Sequence, residues 1–115
     1  MMKPRRRLPD HEADSVSIAA DRISSPKKIY RNAKHNGNRS TASGDVKVKI
    51  NRSHPEGGSD KDFRPDAGDL LVGDKDGSID FEAKRIQLQG RHGGKTVATA
   101  SKDVRIFGKL RRRKE

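Results

Sequence analysis

The stretch 77-GSIDFEAKRI-86 decides how this chain is read, because it is one of four copies of a single pattern. The others are 14-DSVSIAADRI-23, 44-GDVKVKINRS-53 and, more loosely, 102-KDVRIFGKLR-111. In each, a small or acidic residue leads into an alternating trio: Val16, Ile18, Ala20; Val46, Val48, Ile50; Ile79, Phe81, Ala83; Val104, Ile106, Gly108. Successive side chains on a strand point to opposite faces, so this spacing places each trio on one side and the intervening polar residues on the other. Four half-buried strands are predicted. From Ala20 to Ile23, and again from Ala83 to Ile86, the apolar step is three residues instead of two, which exchanges the faces and predicts a bulge or corner. Equivalent positions lie 30, 33 and 25 residues apart, in the range of structural repeats but without a fixed period.

Around these copies the chain is polar. Of its 115 residues 29% are hydrophobic and 37% charged, with a net charge of +11. Leu, Ile, Val and Phe together number 21, a composition at which isolated chains tend not to cover their own apolar surface. The strands are therefore expected to complete their core against neighbouring chains, as stacked repeats do. The fold class expected is mainly β, either β-helical or a small sandwich- or prism-like unit, completed by oligomerisation and carrying extended basic arms. This length holds one domain at most. No window has helical periodicity, and the many Gly, Ser and Asp residues disfavour long helices.

Without cysteine, neither a disulfide framework nor a thiolate metal site is possible. No run approaches the ~20 apolar residues of a membrane span, and the early arginines are not followed by the apolar run of a signal peptide. The expected location is the cytoplasm, or a virion if the chain derives from a phage. The Asn-Arg-Ser sequons at Asn38 and Asn51 are accordingly expected to carry no glycan.

Charge is segregated along the chain: residues 1–43 sum to +6, 44–53 to +2, 54–83 to −6 and 84–115 to +9. Residues 1–13, with Pro4, Pro9 and an arginine run, are expected to form a flexible basic arm. Residues 14–110 form the β-repeat region, with long polar loops at 24–43 and 53–69, the second ending in a brief strand at Leu70, Leu71 and Val72. Ile86 and Leu88 extend the third copy to Gly90, 90-GRHGG-94 turns the chain into Thr96 to Ala100, and residues 111–115 close it as a basic tail.

Several motifs touch known chemistries without completing them. The stretch 72-VGDKDGSIDFEA-83 has the look of an EF-hand calcium loop, but with Gly77 at the sharp turn the first and twelfth positions fall on Val72 and Ala83, neither a carboxylate. A polar turn feeding the strand at Ile79 is expected there. The segment 90-GRHGGKT-96 approaches a phosphate-cradling loop but is one residue short, and reads as a hairpin turn with glycines at positive φ. His11, His35, His54 and His92 match no metal-ligand spacing. No nucleophile elbow accompanies the serines, so no catalytic residue, metal or cofactor is expected. The strongest chemical signal is cationic: Arg5, Arg6 and Arg7, then Lys27, Lys28, Arg31 and Lys34 with Arg39 nearby, then Arg111, Arg112, Arg113 and Lys114. Such clusters neutralise phosphates and release counterions, or dock on acidic protein segments such as 54–83 of another copy. Tyr30, Phe63, Phe81 and Phe107 are the only aromatics, too few for a base-stacking platform.

The core and assembly positions follow from the trios: Val16, Ile18, Val46, Val48, Ile50, Ile79, Phe81, Ile86, Val104 and Ile106. The run Gly77 to Leu88, with 44-GDVKVKI-50 and 14-DSVSIAADRI-23, resembles the strand repeats of β-helical spike and baseplate proteins of contractile-tailed phages and related secretion systems. These three stretches hold 29 of the 115 residues, and the four copies together about 40. It implies intertwined chains, commonly three, whose inward trios meet at a shared axis, and a structural rather than catalytic role. The chain lacks the His-x-His pair that binds metal at some spike tips and is strongly basic, so a baseplate or other virion component is the version implied. The function expected from the sequence is thus a homo-oligomeric, non-enzymatic subunit of a phage-tail type assembly, with a small basic nucleic-acid-binding protein of ribosomal style as the alternative.

Overall fold

The computed structural model describes residues 9–30, 36–53 and 67–113. Among these there is no helix, and the chain forms ten strands: β1 (His11–Ala20), β2 (Arg22–Ile23), β3 (Lys27–Tyr30), β4 (Asn36–Ser43), β5 (Lys47–Ser53), β6 (Leu70–Val72), β7 (Ser78–Ala83), β8 (Arg85–His92), β9 (Lys95–Phe107) and β10 (Arg111–Arg112). All pair antiparallel in one open sheet of order β10-β6-β5-β1-β9-β7-β4-β2, with β3 added to β4 and β8 to β9. The chain is mainly β, as its alternation predicts.

The corners implied by the three-residue steps are present. β1 breaks at Asp21 before continuing as β2, and β7 breaks at Lys84 before β8. Similar bends join β4 to β5 and β6 to β7, held together by the Gly44 N–H donating to the Gly77 carbonyl (2.9 Å) and the Asp45 N–H to that of Lys75 (2.7 Å). Before the bends β5 lies between β1 and β6; beyond them β4 lies between β2 and β7. β9 spans both halves: Val104 lies opposite Ala13, and Ile106 opposite His11 on one side and Phe81 on the other. Lys102 (φ 70°) and Asp103 (φ 57°) bend β9 at this passage in left-handed backbone that side chains rarely adopt. A register shift between Ala13 and Ser15 of β1 faces that bend. The sheet consequently rolls over one of its faces.

That face is the core. Val16, Ile18, Val46, Val48, Ile50, Ile79, Phe81, Val104 and Ile106 are all at most 3% exposed, and Ile86 packs partly buried against them. Each large aliphatic or aromatic side chain so enclosed stabilises the fold by ~1.5–3 kcal/mol relative to exposure. All four trios are covered within one chain, so their burial does not by itself call for a neighbouring subunit.

Three sequence-based boundaries are corrected. Residues 24–43, expected as a polar loop, contain β3 and β4. Of the arm expected over 1–13, residues 1–8 lie outside the described residues, and His11 already opens β1 with its side chain inside. The tail expected over 111–115 begins with β10, where Arg111 and Arg112 pair with Val72 and Leu71. Most of the 53–69 loop lies outside the described residues, but its brief strand is β6. The turn before β7 is closed by the Gly77 N–H donating to the Asp74 carbonyl at 3.0 Å. Gly93 and Gly94, at φ 60° and 81°, form the turn of the β8–β9 hairpin.

Candidate functional site

The alternation that sends the trios inward sends another set of residues outward, and on four adjacent strands these align into rows. Directly paired residues share a face, so two cross-strand rows can be read from the register. Lys49 on β5, Ser17 on β1, Thr99 on β9 and Gln87 on β8 form one. Arg52, Ser15, Ser101 and Arg85 form the next. A bulge in β5 opposite Ser15 sets both Asn51 and Arg52 on this side. With strands ~4.8 Å apart, the four span ~14 Å from the β5 cations to the β8 arginine.

The middle of this face is a patch of oriented hydroxyls. The Asn51 amide Nδ2 donates to Ser17 Oγ at 3.1 Å and, more weakly, to Ser15 Oγ at 3.4 Å. Gln89 Nε2 donates to Thr99 Oγ1 at 3.2 Å. Each of these hydroxyls thus accepts a bond from its neighbour without using its own proton in that bond. At the Ser15 and Ser101 end the face dips into an open groove lined by Arg52, Lys84, Lys102, Asp14 and Asp103. Lys84 pairs with Asp103 at 3.5 Å and donates its backbone N–H to the Lys102 carbonyl at 2.9 Å. Lys49, Arg52, Arg85 and Lys102 are exposed and form no ion pair among the described residues.

The cations singled out by the sequence are placed differently. Lys27 and Lys28 lie exposed on β3, at the rim formed with β4. Arg111 reaches Asp74 at 3.8 Å and Arg112 reaches Asp69 at 3.1 Å, while the Arg113 N–H donates to the Leu70 carbonyl at 2.9 Å. Arg111 and Arg112 therefore pair with acidic residues of their own chain. Arg5, Arg6, Arg7, Arg31, Lys34 and Lys114 lie outside the described residues. Both sequon asparagines use their amides internally: Asn51 on the serines, Asn38 on the Lys84 carbonyl at 3.1 Å.

Two further charged clusters serve the fold. Arg39 holds Asp80 (2.9 Å) and Glu82 (3.1 Å) and stacks 5.3 Å above the ring of Phe107. Lys95 joins two corners by binding Asp21 (2.6 Å) and Asp45 (2.9 Å). Those hydrogen bonds raise the Lys95 pKa, and the bond from Lys95 lowers that of Asp45. His11 sits inside the roll, and burial pushes its pKa down.

The outward cations were not found by counting charge clusters, since Lys49 and Arg52 stand in the least basic of the positive segments. Strand parity held part of the signal: in 44-GDVKVKINRS-53 the residues out of phase with Val46, Val48 and Ile50 are Lys47, Lys49 and Asn51. No protein-family model, curated protein or solved structure matches the chain. No helix among the described residues is long and apolar enough to cross a membrane.

Proposed function

We propose that this chain is a non-enzymatic nucleic-acid-binding module whose outer sheet face grips the phosphate backbone. The observation that carries this is the pair of rows in which Lys49, Arg52 and Arg85 flank a hydroxyl patch with no carboxylate in either row. Together with Lys102 they offer four exposed cations without ion-pair partners among the described residues. Such a surface binds through counterion release, without reading sequence. Four phosphates neutralised give a slope of log K against log salt of about −3.6, or roughly a 150-fold loss of affinity between 50 and 200 mM salt. The face carries no exposed aromatic side chain, so contact is with backbone rather than with stacked bases.

Fluorescence anisotropy on a labelled 20-base-pair duplex, titrated across that salt range, tests the proposal. The double reversal Lys49→Glu with Arg52→Glu is expected to abolish binding, whereas reversing Arg111 and Arg112 leaves most of it. Salt-independent binding, or binding unaffected by the β5 reversals, overturns it.

A second reading keeps the chain as a subunit of a larger assembly, such as a phage tail or baseplate. What favours it is β8, a long strand with one edge unpaired among the described residues, on which Leu88 is 43% exposed. Light scattering coupled to sizing, after nuclease treatment, separates the two. A nucleic-acid-free oligomer stable in high salt supports assembly, and a monomer that copurifies with RNA supports the binding module.

A further inference from the structure

Resting on the nucleic-acid reading above, we infer that the outer face is built for double-stranded RNA and selects it over DNA through its central hydroxyls. Two features carry this: the width of the face and the state of the groups in its middle.

Width comes first. The cations of β5 and the arginine of β8 stand three strand spacings apart, ~14 Å, on a continuous sheet rather than on a projecting ribbon. A B-DNA minor groove is ~6 Å across and its major groove ~12 Å, wide enough for a helix or a two-stranded ribbon. A four-stranded face enters neither. It fits a wide, shallow groove, and the A-form minor groove of duplex RNA is that surface, with phosphates at its borders and 2′-hydroxyls across its floor. Lys49 and Arg52 would lie on one border and Arg85 on the other.

The chemistry of the middle matches that floor. Ser15 and Ser17 stand on β1 and Thr99 on β9, the two central strands of the face, and their oxygens already accept hydrogen bonds from the Asn51 and Gln89 amides. Each hydroxyl accepts there and has its own proton left to donate. A ribose 2′-hydroxyl accepts such a proton and returns its own; deoxyribose has no atom there. Gln87 ends the Lys49 row and adds an amide that donates and accepts. A surface intended only for phosphates would gain more from cations at these positions than from neutral hydroxyls, because phosphate affinity scales with the number of charges neutralised.

The test compares one 20-base-pair sequence as duplex RNA, as duplex DNA and as RNA with every ribose 2′-O-methylated, by anisotropy competition at one salt concentration. Duplex RNA is expected to bind about tenfold tighter than DNA, with the methylated duplex near DNA, the scale expected when a few neutral hydrogen bonds are added or lost. In the variant Ser15→Ala, Ser17→Ala, Thr99→Ala the preference should fall to within about twofold while DNA affinity is unchanged. Far-ultraviolet circular dichroism and the DNA affinity itself report whether this variant is folded. Equal binding of RNA and DNA by the parent protein, or a preference that survives the triple substitution, overturns the inference and leaves phosphate binding standing. Binding of neither duplex overturns both.

Discussion

Replacing Phe81 with alanine tests whether the rolled sheet is a complete folding unit. Phe81 is the largest of the fully buried side chains, at 0% exposure, and lies between Ser40 of β4 and Ile106 of β9. Neither neighbouring backbone is free to collapse into the space, because both are fixed by ladder hydrogen bonds on either side of β7. The loss is therefore expected near the middle of the range for buried aromatic truncations, about 4 kcal/mol. With a urea dependence of ~1.5 kcal/mol/M for a domain this size, the midpoint should fall by about 2.7 M. The same melts, run on the parent protein over a hundredfold range of concentration, ask whether one chain suffices. If folding required a dimer, dilution would remove about 2.7 kcal/mol per dimer, or roughly 1 M in midpoint given the doubled urea dependence. A core covered within one chain predicts no shift. A concentration-dependent midpoint, or a cost for Phe81→Ala below about 1.5 kcal/mol, would refute the view that this interior is closed by its own strands.

Protonation of His11 should destabilise the fold: its folded pKa lies below its unfolded one, so stability is full above ~6.5 and is lost as pH falls toward the folded value. His11→Leu is expected to remove this dependence between pH 7 and pH 5, read as thermal midpoints. The Lys95 clamp makes the opposite pair of demands. Asp45, with a lowered pKa, contributes above its unfolded value and loses that contribution as pH falls through the folded one, while Lys95, with a raised pKa, contributes below its unfolded value and loses that as pH rises. Lys95→Met should flatten both limbs of the stability profile. Gly44→Ala should cost at least ~1 kcal/mol in urea denaturation, since φ there is 84° and a Cβ would stand 2.6 Å from the Asp21 carboxylate that the clamp uses.

The strands of the repeats were legible in the sequence because their inward residues are large and strictly alternate: Val16 and Ile18, Val48 and Ile50, Ile79 and Phe81. β4 was not, and the cause is its position. Its inward residues are Ser40 and Ala42, and Ser40 lies directly across from Phe81. A small side chain is what fits beside the largest one in the core, so the strand has no aliphatic alternation and reads as 36-NGNRSTAS-43, a loop. The outer face was half legible. Lys47 and Lys49 follow from parity alone, but Arg52 joins them only through the β5 bulge, and Arg85 only because β8 pairs with the half of β9 that faces β1. Rows made of residues from four separate segments depend on register, which local pattern does not contain.

Where the positive charge of this protein emerges follows from how its acids are used. Asp80 and Glu82 are held by Arg39, Asp21 and Asp45 by Lys95, Asp69 by Arg112, Asp74 by Arg111 and Asp103 by Lys84. These pairs sit at corners, edges and bends, where they fix the path of the roll. An exposed pair of this kind contributes little stability, about 0–1 kcal/mol, but it has an electrostatic effect beyond its energy, because it neutralises the field locally. Two cations of the basic tail, Arg111 and Arg112, are neutralised in this way by Asp74 and Asp69. On the outer face Lys49, Arg52 and Arg85 have no such ion pair among the described residues. Half of a cluster conspicuous in one dimension is thus paired by folding, whereas cations from weaker segments are left unpaired on the outer face. Removing the tail's partners, by Asp69→Asn with Asp74→Asn, should therefore create a second salt-sensitive binding surface and raise affinity for a phosphate backbone. Truncating the tail should leave that affinity largely where it was.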